Sequence, residues 1–278
     1  MVTRITTLFA LIAFCAMPCL AKKIQGNGTI VTKQVSVSDY SAVILNSATL
    51  GSNNSWFNLF TGGDQTSHVF YYKQGTSASL QITIDENLYP YLKVKTTNGE
   101  LTISTKDGEQ LIPTSFKING TSKGLKKIRT SGNMDFTLQS SLSGDNLEIE
   151  TSSGSDIHMK QPVKMIDCTV SASGGGDLDF SDLTCESIHC RASGGSDITI
   201  KGKAEKGVIE ASGGSDIKGS DFVVTSLDCS ASGGSDIYAH ATNDLKASAS
   251  GGSDIHYRGN PKANTSTSGG SDIYKEGQ

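Results

Sequence analysis

Apolar residues are scarce in this chain. They make up 36% of its 278 residues, whereas glycine alone occurs 31 times. A random polymer of that composition would stay unfolded, so a fold has to place few apolar side chains with economy. Basic residues are also few, 24 Lys and Arg against 28 Asp and Glu, for a net charge of −4. Nucleic-acid binding rests on basic patches and is excluded as a class. The single basic cluster, Lys123, Lys126, Lys127 and Arg129, reads as a solvated face and not as a phosphate site.

The patterns of catalysis and cofactor binding are missing too. The five histidines, His68, His158, His189, His240 and His256, lack metal-ligand spacing and read as dispersed surface residues. There is no Gly-x-Ser-x-Gly elbow and no phosphate loop opening a helix. A polysaccharide lyase or hydrolase needs paired carboxylates, or carboxylates gathered with a basic residue. The densest acidic patch, Asp177, Asp179 and Asp182, has no Lys or Arg beside it. The expectation is a protein that is not an enzyme and takes no cofactor and no metal.

Long hydrophobic runs are confined to the start. Arg4 is followed by an apolar stretch from Leu8 to Met17 and by the small-residue site Cys19-Leu20-Ala21. Residues 1–21 therefore read as a secretory signal peptide, too short to span a membrane comfortably. Cys15 and Cys19 follow the bulky Phe14 and Pro18, which argues against lipidation at either. Removing residues 1–21 removes one arginine and no acid, which takes the net charge from −4 to −5. The expected location is the cell envelope or cell surface of the exporting cell.

What the chain does have is a repeat. Near-copies of Ser-Gly-Gly-Ser-Asp-Ile begin at Ser131, Ser152, Ser173, Ser193, Ser212, Ser232, Ser250 and Ser268. Their aspartates, Asp135, Asp156, Asp177, Asp197, Asp216, Asp236, Asp254 and Asp272, are spaced 21, 21, 20, 19, 20, 18 and 18 residues apart. A period near 20 marks a solenoid whose coils stack on their neighbours.

Aligned on the aspartate, alternate positions are apolar. One residue after it stand Phe136, Ile157, Leu178, Ile198, Ile217, Ile237, Ile255 and Ile273; five before it stand Thr130, Thr151 and then Ala172, Ala192, Ala211, Ala231 and Ala249, ending in Thr267. Period-2 alternation describes a strand with one buried face. Each repeat then reads as strand, tight Gly-Gly corner, strand and a longer variable return. Glycine makes the corner because it reaches positive φ without a Cβ clash. The fold class is all-β, a parallel β-helix or β-solenoid with coils of about 18–21 residues. Polar Thr265, Thr267 and Lys275 in the last coil read as its cap.

The aspartate column is the most conspicuous acidic feature. Calcium wants six to eight oxygens, and one acid per coil falls short. The eight aspartates read as structural turn residues accepting backbone hydrogen bonds. Cys168, Cys185, Cys190 and Cys229 are too badly placed to pair: Cys190 and Cys229 sit two coils apart, about 9–10 Å. They read as free buried thiols, with Cys185 in a return loop and without an evident role. Outward Tyr238 and Tyr274 share one offset with His256 between them, and these three are the candidate ligand contacts.

Residues 22–124 lack the strict repeat. Strands are expected at 40–45, 69–72, 80–84, 91–95 and 101–104, a turn at Asn98-Gly99, and a surface loop carrying Trp56 over 51–67. The organisation is thus residues 1–21 as signal peptide, 22–124 as a β region starting or capping the stack, and 125–278 as the repeat solenoid.

A run of β-strands, a short basic stretch and about eight Ser-Gly-Gly-Ser-Asp-Ile repeats together resemble the auto-transporter adhesin head (GIN domain) family of Bacteroidota, over about Ser36 to Tyr274. That resemblance implies a β-helix shaped like the pectate-lyase-like folds, without their catalytic set, and a role in cell-surface adhesion. It supplies no binding residues. The partners to expect are glycans or surface and host proteins, with a second copy meeting the solenoid end or a face. A structural envelope protein without ligand, or a carbohydrate-active enzyme on a β-helix, are the rival readings.

Overall fold

Alternating inward and outward side chains need a partner sheet on each edge, and the repeat supplies one by winding. The computed structural model describes residues 22–46, 68–106 and 109–277. The expected signal peptide and the Trp56 segment lie outside the described residues.

The coils have three faces. On the first, Ala42–Asn46, Lys127–Ser131, Asn146–Ser152 and Asp167–Ser173 stack in parallel. The ladder runs on through the long strands to Lys262–Ser268. On the second face, His68–Gln74, Met134–Leu138 and Ile157–Met159 begin a ladder that ends at Asp272–Lys275. The returns form the third: Leu142–Ser143 and Val163–Lys164 stack, and the ladder continues through Leu183, Gly202 and Phe222. From Leu178 onward second-face, return and first-face segments fuse into single strands such as Leu178–Ser193 and Ile217–Ser232. The expected variable returns are therefore strands themselves. Their inward Leu183, Phe222 and Val224 are buried, and this burial is what holds them extended.

Register is strict where the core demands it. Ile198, Ile217 and Ile237 stand in one ladder and are fully buried. A slip of one residue would turn each to solvent.

Two glycines make each full corner, both left-handed, as at Gly213 (φ 70°) and Gly214 (φ 74°). Positive φ at both central positions is the geometry that glycine alone adopts at low cost. The corner serine is buried, and at several corners its hydroxyl serves the coil before it, whereas those of Ser196 and Ser235 donate to Ser193 and Ser232 of their own corners. Ser215 Oγ accepts from the N–H groups of Gly195 and Ser196 at 3.1 and 3.2 Å. Ser253 does the same for Gly234 and Ser235, and Ser271 for Gly252 and Ser253. Two corners lack the serine: Met134 stands there in the first repeat and Gly176 in the third. A Cβ on Gly176 would lie 2.7 Å from the Ser155 carbonyl oxygen and 3.0 Å from Thr151 Oγ1. The Thr151 hydroxyl, bonded to that same carbonyl, already fills the space.

The N-terminal end is built differently. Phe116–Ser122 lies between His68–Gln74, which it meets in parallel, and Ser79–Asp85, which it meets antiparallel. Ile30–Val35 adds a further antiparallel strand. Leu92–Thr97 and Glu100–Thr105 form a hairpin through Asn98 (φ 52°) and Gly99 (φ 76°), the expected turn. The core is bulky here: Phe70 and Tyr72 stack on Phe136 with ring centroids 5.8 and 6.1 Å apart. Towards the other end it thins to Ala211, Ala231, Ala247 and Ala249. At the last coil every residue of Lys262–Ser268 is exposed.

Candidate functional site

The aspartates form an inter-coil chain. Asp135 Oδ1 accepts from the Asp156 N–H at 3.0 Å, Asp156 from Asp177 at 3.0 Å, and Asp177 from Asp197 at 2.8 Å. Asp197, Asp216 and Asp236 accept from the next aspartate's N–H at 3.3 Å, and Asp254 accepts from Asp272 at 3.0 Å. Each carboxylate from Asp135 to Asp254 thus serves the corner of the following coil. Burial pushes the Asp135 carboxyl above the usual range. Among the described residues no group of three or more His, Cys, Asp or Glu is placed to hold a metal ion.

The acidic trio is divided among separate tasks. Asp177 belongs to that chain, Asp179 pairs with His158 Nδ1, and Asp182 is exposed. The hydrogen bond from Asp179 raises the His158 pKa. His158 is half-buried and His189 meets Glu210 at 3.2 Å. His68 is not on the surface, in contrast to the expectation. It is 2% exposed, packs edge-on against Phe116 and has its pKa lowered by burial. Its position one residue before the β-rich Val69–Tyr72 run was the only sign of an inward site.

The basic cluster is largely neutralised. Lys123 pairs with Asp39 at 2.9 Å, Lys127 with Glu148 at 2.8 Å and Arg129 with Glu150 at 2.5 Å. Arg129 holds the Glu150 carboxyl down at about 2. The four cysteines are free and buried. Cys185 lies in a strand opposite Ala204 and not in a loop. Burial pushes its thiol up to about 12, and those of Cys168, Cys190 and Cys229 upward as well, so none is a ready nucleophile.

The three candidate contact residues do come together. Tyr238, His256 and Tyr274 occupy successive coils of the second face. Their rings stack with centroids 4.8 and 5.2 Å apart and interplanar angles of 9° and 26°. Stacking covers the ring faces and leaves their edges outward. A sugar ring packs on an aromatic face, and Tyr274 at one end of the stack is 46% exposed. Lys218, one coil before, is drawn to Asp197 at 2.7 Å.

A groove runs along the corner between the third and first faces, and nothing in the repeat pattern signalled it. It encloses about 840 Å³ and crosses five coils, from Ser143 to Thr225. Buried Met165, Cys185 and Ala204 line its base, with more exposed Ile166 and Val223 at its edges. Exposed Lys164 and Lys203 stand on the third-face side, and Glu186 and Glu205 two residues further along their coils. None of its lining residues is aromatic. No helix among the described residues is long and apolar enough to cross a membrane.

The family model described as "Putative auto-transporter adhesin, head GIN domain" matches residues 65–261. A crystal structure of a protein described as a "putative adhesin" from Parabacteroides merdae is 25% identical, with a TM-score of 0.81 over 92% of this chain and 100% of that one. One described as a "putative lipid binding protein" from Parabacteroides distasonis is also 25% identical, with a TM-score of 0.80 over 91% of this chain and 100% of that one. A third, a "putative adhesin" from Bacteroides fragilis at 22% identity and TM-score 0.60, shares the fold. No curated protein matches the chain.

Proposed function

The chain belongs to the auto-transporter adhesin head GIN-domain family, and on that premise we propose that it is an exported, non-enzymatic binding protein of the cell surface. One observation carries the reading. Outward side chains of the same offset stand in register over successive coils, as Tyr238, His256 and Tyr274 do, on a stack whose every coil is bonded to the next. A stiff rod of that kind presents several weak contacts at fixed spacing, and such contacts add by multivalency. Export rests on residues 1–21 of the sequence. The non-enzymatic reading is supported by chemistry: the repeat aspartates from Asp135 to Asp254 accept backbone N–H groups, Asp179 pairs with His158, and the thiols are held protonated by burial.

The test is a glycan and host-protein array probed with the mature chain, residues 22–278, with and without calcium. Saturable binding to at least one ligand is expected, with little response to calcium, since one oxygen of each aspartate from Asp135 to Asp254 is engaged by an amide. Absence of any binding would favour a structural envelope protein. Cleavage of an arrayed polymer would favour a carbohydrate-active enzyme.

A further inference from the structure

We propose that the groove along the corner between the third and first faces binds an extended peptide segment of a partner protein, with an apolar residue on its base and an acid and a base at its rims. The inference rests on the surface-binding reading above and gives it a site. Three observations converge on it. The groove's volume of about 840 Å³ falls in the range of small-ligand sites, about 300–1,000 Å³. Its five coils extend over about 19 Å at the strand spacing, the length of about six extended residues.

The large apolar residues exposed among the described residues are Ile30, Ile166, Val208, Val223 and Tyr274, and two of them, Ile166 (43%) and Val223 (36%), line this groove. These two stand three coils apart at opposite edges of the base formed by Met165, Cys185 and Ala204, and exposed apolar residues rimmed by polar ones mark interaction sites.

The charges decide the class of ligand. On other parts of the stack several opposite charges on neighbouring coils pair, as in Arg191–Glu210, Lys218–Asp197 and Lys246–Asp228. Lys164 and Lys203 on one flank, and Glu186 and Glu205 on the other, take part in no ion pair among the described residues. Unpaired charge of both signs beside an apolar base complements a segment carrying both signs and an apolar anchor. An acyl chain would leave both flanks unmatched, and a glycan would find no aromatic face.

The experiment selects random decapeptides displayed on phage against residues 22–278. The peptides recovered are then measured by fluorescence anisotropy on the wild type, on Ile166→Glu and on the double variant Lys164→Glu/Lys203→Glu. All three positions are half-exposed or exposed, and thermal melting confirms folding; if Ile166→Glu fails to fold, the lysine variant carries the test. Selected peptides should combine an apolar residue with an acid and a base, and lose about tenfold or more in affinity, about 1.4 kcal/mol, in each variant. Three results would overturn the proposal: no peptide enriched over a blank surface, enriched peptides that bind the variants as tightly as the wild type, or phosphatidylethanolamine–phosphatidylglycerol vesicles bound by the wild type and not by the variants. The array run on the same variants separates the two ideas. Binding there that survives in the variants while no peptide is enriched overturns the groove alone, and no array binding by the wild type overturns the broader reading.

Discussion

The two ends of the stack solve the same problem with opposite means. At the N-terminal end, antiparallel strands fold over Phe70, Tyr72, Phe116 and Phe136, and the interior is filled by large rings. At the C-terminal end the coils shorten from 21 to 18 residues, and Ala231, Ala247 and Ala249 fill what is left. Side-chain volume and coil length fall together, as close packing requires. A wide coil depends on a few big contacts that are costly to lose. A narrow one depends on backbone ladders and on corners whose small residues admit no substitute. The wide end should therefore be sensitive to truncation and the narrow end to enlargement.

The largest expected effect tests the wide end. Phe136→Ala removes a fully buried ring stacked on two others and should cost about 3–5 kcal/mol, read from denaturant unfolding. A loss under 1 kcal/mol would mean that the rings are not the main filling there. Enlargement at the narrow corners comes next. Gly213→Ala forces a Cβ into a left-handed residue and sets it 3.4 Å from the Gly194 nitrogen, whereas at Gly214 the same Cβ meets nothing within 4 Å. Both should lose about 1–2 kcal/mol to the backbone, with Gly213→Ala the worse. Equal melting temperatures for the two would remove the argument from inter-coil crowding.

The smallest effect lies on the surface. The His158 pKa is raised in the folded chain by Asp179, so their pair stabilises fully below the unfolded histidine value of about 6.5 and fades as pH rises through the higher folded value. The pair is partly exposed, which limits it to about 1 kcal/mol or less. Asp179→Asn should lower the melting temperature at about pH 5.5 and leave it nearly unchanged at about pH 9. A loss that is the same at both would assign Asp179 a role other than this pair.

The narrow end was legible in the sequence and the wide end only in part, for a physical reason. Parallel coils make residues at one offset neighbours, so the column of Ile198, Ile217 and Ile237 could be read without coordinates. Strands at 42–46, 79–85 and 100–105 were near their expected places because their alternation is local. The insertion of Phe116–Ser122 between two earlier strands is a long-range choice, and no period encodes it. His68 and Cys185 were misplaced for a related reason: His68 precedes the repeats and Cys185 lies in a return, the part of each coil that varies most. The corner aspartates were seen as acceptors, but whether the donor belongs to the same coil or the following one is invisible in a column. The groove was missed because it is formed by the offset between faces, and its residues, from Met165 to Val223, share no single chemistry.

The corner acceptors reach only to an adjacent coil. Ser215 and Asp197 complete bonds with the coil on one side or the other, and no coil needs anything beyond its immediate neighbours. An internal repeat is then dispensable as long as the polar last coil still closes the stack. Duplication or loss of a whole internal unit would alter the length of the stack while leaving each remaining joint intact, so span becomes a quantity that descent can adjust in steps of one strand spacing.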